Sequence, residues 1–92
     1  LVGDDPEHLV ATAIDLRRDW AEWEPGPIVD LLFPEGVAEG ADLTGEPSRY
    51  GAVLGRRAHQ LRDPCVFTDD DGTTWLLYSI AGEAGIGLAS LR

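Results

Sequence analysis

The last third of the chain alternates short apolar runs with polar clusters closed by glycine. Cys65-Val66-Phe67 ends at Thr68-Asp69-Asp70-Asp71-Gly72, a hairpin signal because Asp tolerates and Gly favours positive φ. Thr73 to Ile80 follows, rich in β-branched and aromatic residues, with Trp75 and Leu77 on one side of the pleat and Leu76, Tyr78 and Ile80 on the other. Apolar groups on both sides predict a strand covered on both faces. Ala81 to Gly85 reads as a second turn, after which Ile86, Leu88 and Ser90 alternate with Gly87, Ala89 and Leu91. The small residues at 87 and 89 suit a close neighbouring layer. Cys65 reads as a small buried residue on a central strand, as free cysteines usually are.

Upstream, the pattern is less regular. Asp5-Pro6-Glu7 is a fair helix start, and Leu9, Ala13, Leu16 and Trp20 fall at helical spacing, so local signals favour an amphipathic helix. The competing reading is a strand over His8 to Ile14, with Val10, Thr12 and Ile14 on one face. Pro25-Gly26-Pro27 ends any helix, because proline lacks the amide hydrogen and restricts the residue before it. Ile28 to Phe33 is a short apolar strand stopped at Pro34. From Glu35 to Leu61 no periodicity persists, and a loop longer than about 15 residues in a compact domain is usually functional or disordered.

Three antiparallel strands covered on both faces need a partner layer on each side. A β-propeller supplies these layers by repetition, its blades packing face to face around a central channel. Arg62-Asp63-Pro64, the Asp71-Gly72 turn, the strand Trp75-Leu76-Leu77-Tyr78-Ser79 and Ala81-Gly82-Glu83 followed by Gly85-Ile86 resemble the last blade of five-bladed propellers related to glycoside hydrolase family 43. The resemblance covers the C-terminal third closely and the remainder more loosely. It implies an all-β chain forming part of a five-bladed propeller. Residues 1–34 would be outer strands of the penultimate blade, 35–61 a long inter-blade loop and 62–92 an incomplete last blade. It also decides for the strand at 8–14, since an outer strand in that family leads into Asp-Leu and a tryptophan-containing bend, here Asp15, Leu16, Trp20 and Trp23.

Composition narrows the function. With 17 acidic and 7 basic residues, a net charge of −10 opposes a phosphate backbone, which argues against nucleic acid as a partner. No apolar stretch approaches the ~20 residues of a membrane span, so a soluble protein is expected, cytoplasmic or secreted, with no membrane partner. A hydrophobic content of 43% with three Trp predicts a folded chain rather than a disordered one. The first residue is Leu and there is no Met, which reads as a piece of a longer protein. One cysteine cannot form an internal disulfide. Phosphate-binding loops, Cys/His metal clusters and the Gly-x-Ser-x-Gly turn have no match, so no metal or cofactor is expected. The contiguous acids Asp69-Asp70-Asp71 lack the alternate spacing of a calcium loop.

Carboxylates remain as the candidate chemistry. Glycoside hydrolysis uses two, one donating a proton to the leaving oxygen and one acting as base or nucleophile. The resemblance places Asp63 at the channel mouth, where the family's corresponding Asp supports the transition state or tunes the acid, with Arg62 supplying a positive charge beside it. Glu39-Gly40 resembles the Glu-Gly that carries the general acid in some members, although Ala41-Asp42 follows in place of the usual proline and strand. Arg62, Glu83, His59 and Trp20 are the candidate sugar-binding residues, Trp20 as an aromatic platform for a ring face. For Asp63 the other reading is a pair with Arg62 that pins the strand start, for Glu39 a solvent-exposed loop carboxylate, for Glu83 a fixed turn, for His59 a structural hydrogen-bonder, and for Trp20 and Trp23 packing at the edge of a blade. The implied function is a glycoside-binding propeller that hydrolyses its ligand with carboxylates at the channel mouth. The alternative is a non-catalytic carbohydrate-binding or scaffolding propeller. In either case the partners are a carbohydrate and the remaining blades.

Overall fold

A computed structural model describes residues 1–92. The protein is all-β. Strand β1 (Leu9–Ala11) pairs antiparallel with β2 (Val29–Leu32), while β3 (Arg62–Thr68), β4 (Thr74–Ile80) and β5 (Gly85–Leu91) form an antiparallel meander with β4 in the centre. Two short 3₁₀ turns, Trp20–Glu22 and Val37–Glu39, are the only helical segments, and no helix is long and apolar enough to cross a membrane.

The β3–β4 turn forms where the acidic run predicts it. Asp69 N–H donates to the Thr73 carbonyl at 2.8 Å, Gly72 takes φ +86°, and the Asp71 carboxylate accepts from Thr73 N–H at 2.8 Å. Hydrogen bonding to the Thr73 amide and hydroxyl holds the Asp71 carboxyl below the usual range.

At residues 8–20 tertiary packing overrides helical periodicity. Leu9 is 3% exposed and packs with Leu61, Leu76 and Tyr78, whereas Leu16 and Trp20, which a helix would place near it, are 64% and 76% exposed. Burying Leu9 alone needs only one extended strand. That strand is shorter than the sequence suggests: β1 ends at Ala11, and Ile14 rejoins β structure only as an isolated bridge to Pro25.

The core lies between the two sheets. Leu76 and Tyr78 of β4 meet Leu9 and Leu61, with half-buried Leu32, Ile80, Ala89 and Leu91 around them. Gly87 stands opposite Tyr78, and a Cβ at position 87 would lie 2.5 Å from Tyr78 Cε2. The small residue there makes room for the tyrosine ring of the adjacent strand, not for a further layer.

The other face of the meander departs from expectation. Register puts Cys65 beside Leu77 and Leu88, and Phe67 beside Trp75. Trp75 and Leu77 are only half-buried, and Phe67, Ile86 and Leu88 are exposed. Within residues 1–92, β4 is therefore covered on one face only. Cys65 is exposed, contrary to its reading as a buried residue, because β3 is an edge strand and its outer face has no covering layer.

His8 ties the start of β1 to β2. Its ring stacks on Phe33 with centroids 4.1 Å apart, Nδ1 lies 3.0 Å from the Pro6 carbonyl oxygen and Nε2 2.9 Å from Asp30 Oδ1. Both partners are acceptors, so the doubly protonated ring fits best. The Pro6 carbonyl, with Asp30 adding to it against the opposing effect of burial, raises the His8 pKa above its usual 6.5.

Two outcomes are expected. Residues 1–92 in isolation should melt broadly and bind a hydrophobic dye through the open face of β3–β5; a single sharp transition of a dye-free monomer would contradict this. Stability relative to His8→Gln should be greatest below the unfolded imidazole pKa and decline as pH rises through the higher folded value. Denaturant titrations of both proteins from acidic to alkaline pH measure that difference.

Candidate active site

Arg62, the first residue of β3, sends its side chain into the protein. Its guanidinium is 9% exposed, with Nε 3.3 Å from Glu7 Oε2 and Nη1 2.8 Å from Glu83 Oε1, and Nη1 also donates to the Gly51 carbonyl at 3.0 Å. One cation thereby joins the segment before β1, the β4–β5 turn and the long loop. Glu83 also accepts from Val53 N–H at 3.2 Å, so it fixes the loop as well as its own turn. The charge of Arg62 is thus committed to Glu7 and Glu83. The expected Arg62–Asp63 pair is replaced by this buried cluster, because a half-buried Glu7 needs a cation more than an exposed Asp63 does.

Asp63 sits just outside the cluster. Consecutive pairs run from Arg62↔Ser79 to Cys65↔Leu77, leaving Asp63 and Pro64 in a β-bulge. Asp63 has φ +50°, a conformation uncommon outside glycine though better tolerated by Asp than by most side chains, and its carboxylate is exposed, with Oδ2 accepting from Ser79 Oγ at 3.4 Å. Bulges re-aim side chains, and backbone strain of about 1–3 kcal/mol concentrates at functional sites. A cleft of about 190 Å³ beside the bulge is lined by Glu7, His8, Arg62, Asp63 and Pro64. Glu7 is a second carboxylate in this cleft that sequence reasoning missed. No motif marks it, and it lines the same cleft as Asp63 because residues 7 and 60 form a parallel bridge.

Glu39 is placed elsewhere. Its Oε1 accepts from the Tyr78 hydroxyl at 2.9 Å and its Oε2 from Glu35 N–H at 2.7 Å, while its carbonyl accepts from Ala81 N–H at 3.2 Å. Tyr78 and Ser79 are consecutive in β4 and project to opposite faces, so Glu39 and Asp63 are held on opposite sides of the sheet. They cannot flank one glycosidic bond within this chain. Glu39 instead clamps the loop onto β4, and burial together with the Glu39 carboxylate pushes the Tyr78 pKa up to about 12, so the hydroxyl remains a donor.

The other candidates are dispersed. His59 is half-buried and its Nδ1 has no hydrogen-bond partner. The Trp20 ring is 76% exposed on the 3₁₀ turn, which Asp19 caps by accepting from Ala21 N–H at 3.0 Å. Trp23 donates from Nε1 to the Arg18 carbonyl at 3.0 Å. Trp20 is thus available as a platform but lies outside the Asp63 cleft.

Over 91 residues the chain is 38% identical to a mimivirus protein described as uncharacterized protein R118 of Acanthamoeba polyphaga mimivirus. The match takes in 98% of this chain and 25% of that protein, so the chain spans about a quarter of the length of this relative. No protein-family model and no solved structure matches the chain.

If the Glu39–Tyr78 bond is a structural clamp, Tyr78→Phe and Glu39→Gln should each destabilise the protein. Their double-mutant cycle should give a coupling of about 1.5–3 kcal/mol, the range for hydrogen bonds to charged groups. A coupling indistinguishable from zero in denaturant titrations would remove Glu39 from that role.

Proposed function

We propose that the chain is the C-terminal part of a five-bladed propeller related to glycoside hydrolase family 43, and that the complete protein binds and hydrolyses a glycosidic bond. The observation that carries this reading is Asp63: an exposed carboxylate held at φ +50° in a bulge at the head of β3, sharing a cleft with Glu7. The core shared by side chains of both sheets and the uncovered apolar face of β3–β5 support the blade arrangement, since a neighbouring blade would cover that face. Asp63 is then the positioned carboxylate beside the sugar, and the Arg62 cluster holds the backbone from which it projects.

A second reading is a carbohydrate-binding propeller without catalysis. It is favoured by Glu39, whose two carboxylate oxygens are already engaged by Tyr78 and Glu35 and are not offered to a leaving group.

In the complete protein Asp63→Asn should lower glycoside turnover by a factor on the order of 10²–10⁴, the usual scale for a positioned acid–base or electrostatic group, with the melting temperature little changed. A sharp fall in melting temperature with normal turnover of the folded fraction would make Asp63 a structural anchor. Sugar binding without any turnover in the unaltered protein would favour the second reading.

A further inference from the structure

The long loop ahead of β3 holds a second cleft, of about 380 Å³, walled by Glu46, Arg49, Tyr50 and Arg56 with Gln60 among its lining residues. That volume lies in the range of small-molecule sites, about 300–1,000 Å³. Its charge is opposite to that of the chain. Residues 46–62 carry four of the seven basic residues and only one of the seventeen acidic ones, in a protein of net charge −10. Three of these arginines are committed: Arg57 to Asp42 at 3.2 Å, Arg62 to Glu7 and Glu83, and Arg56 to Glu46 at 2.6 Å. Arg49 is in none of the ion pairs.

Two further groups lack partners inside the protein. The Tyr50 residue is 91% exposed, a large apolar surface that packs against nothing. Gln60 is only 3% exposed, yet its Oε1 has no hydrogen-bond partner. A buried amide is normally satisfied, and because Gln60 also lines the cleft, a side-chain rotation toward it would give this amide a ligand as partner. The walls are held in advance: Arg62 grips the Gly51 carbonyl, Glu83 accepts from Val53 N–H, and Gln60 is fixed by its backbone bonds to Ala58 and Gly82.

We propose that this cleft binds an anionic sugar, a pyranose ring carrying a carboxylate or a phosphate. Arg49 meets the anionic group, the face of Tyr50 takes the C–H face of the ring, and the Gln60 amide bonds a ring hydroxyl. The sugar part of this assignment rests on the glycoside reading above, which it narrows to acidic glycans. The anionic part rests on the charge distribution.

NMR titration of the complete protein with glucuronate, glucose 6-phosphate, glucose and inorganic phosphate tests it. At least one of the two anionic sugars should bind tenfold or more tightly than both glucose and inorganic phosphate, and which one does so distinguishes carboxylate from phosphate. Arg49→Ala should bring that affinity down to the level of glucose, and Tyr50→Ala should weaken it at least tenfold while Tyr50→Phe retains it. Equal binding of glucose and the anionic sugars, inorganic phosphate binding as tightly as glucose 6-phosphate, or Arg49→Ala without effect would each overturn the proposal. Absence of binding at this site with Asp63-dependent turnover intact overturns this inference alone. Failure of every sugar, neutral or anionic, to bind overturns it together with the glycoside reading.

Discussion

The buried guanidinium of Arg62 is the constraint on which the arrangement depends. It is the one group that contacts the segment entering β1, the turn leaving β4 and the long loop, through Glu7, Glu83 and the Gly51 carbonyl. Removing one partner of a buried ion pair typically costs about 3–5 kcal/mol, because the remaining charge is left uncompensated. Three parts of the chain that share no sheet are thereby held in register. The same side chain opens β3, so the position of Asp63 follows from it.

A sheet with two faces separates the candidate carboxylates. Tyr78 turns inward to the core and to Glu39, Ser79 turns outward to Asp63, and the period of two along β4 makes both placements obligatory once one is set. Glu39 thus serves the fold, and Asp63 is left exposed in a strained bulge. Glu7 joins Asp63 because the core demands that Leu9 be buried, which brings the chain just before β1 alongside residue 60.

The long loop is likewise more organised than its composition suggests. Arg57 holds it to Asp42 and to the Val37 carbonyl, and Glu39 pins it to Tyr78 and Ala81. Gly40, at φ +87°, lies so close to the Ala58 carbonyl that no side chain fits there. These local fixings let the loop present one open arginine, one exposed tyrosine and one unsatisfied amide in the same cleft.

What the sequence alone determined is local. The Asp-Gly turn, the alternation of β4 and the proline stops around β2 follow from backbone preferences that act over a few residues, and each forms within a residue or two of its expected place. The all-β class was legible for that reason, while Asp63 near the head of a strand and a strand within residues 8–14, which forms only over Leu9–Ala11, were read from resemblance. Tertiary structure alone decided the rest. Whether β4 is covered on one face or two, whether Cys65 is buried, whether Arg62 pairs with its neighbour or with Glu7 and Glu83, and which carboxylates share a cleft all depend on contacts between residues tens of positions apart. Side-chain type and spacing carry no information about such contacts, because the partner that lowers the free energy of a charge or an apolar face is chosen by the packing of the whole chain.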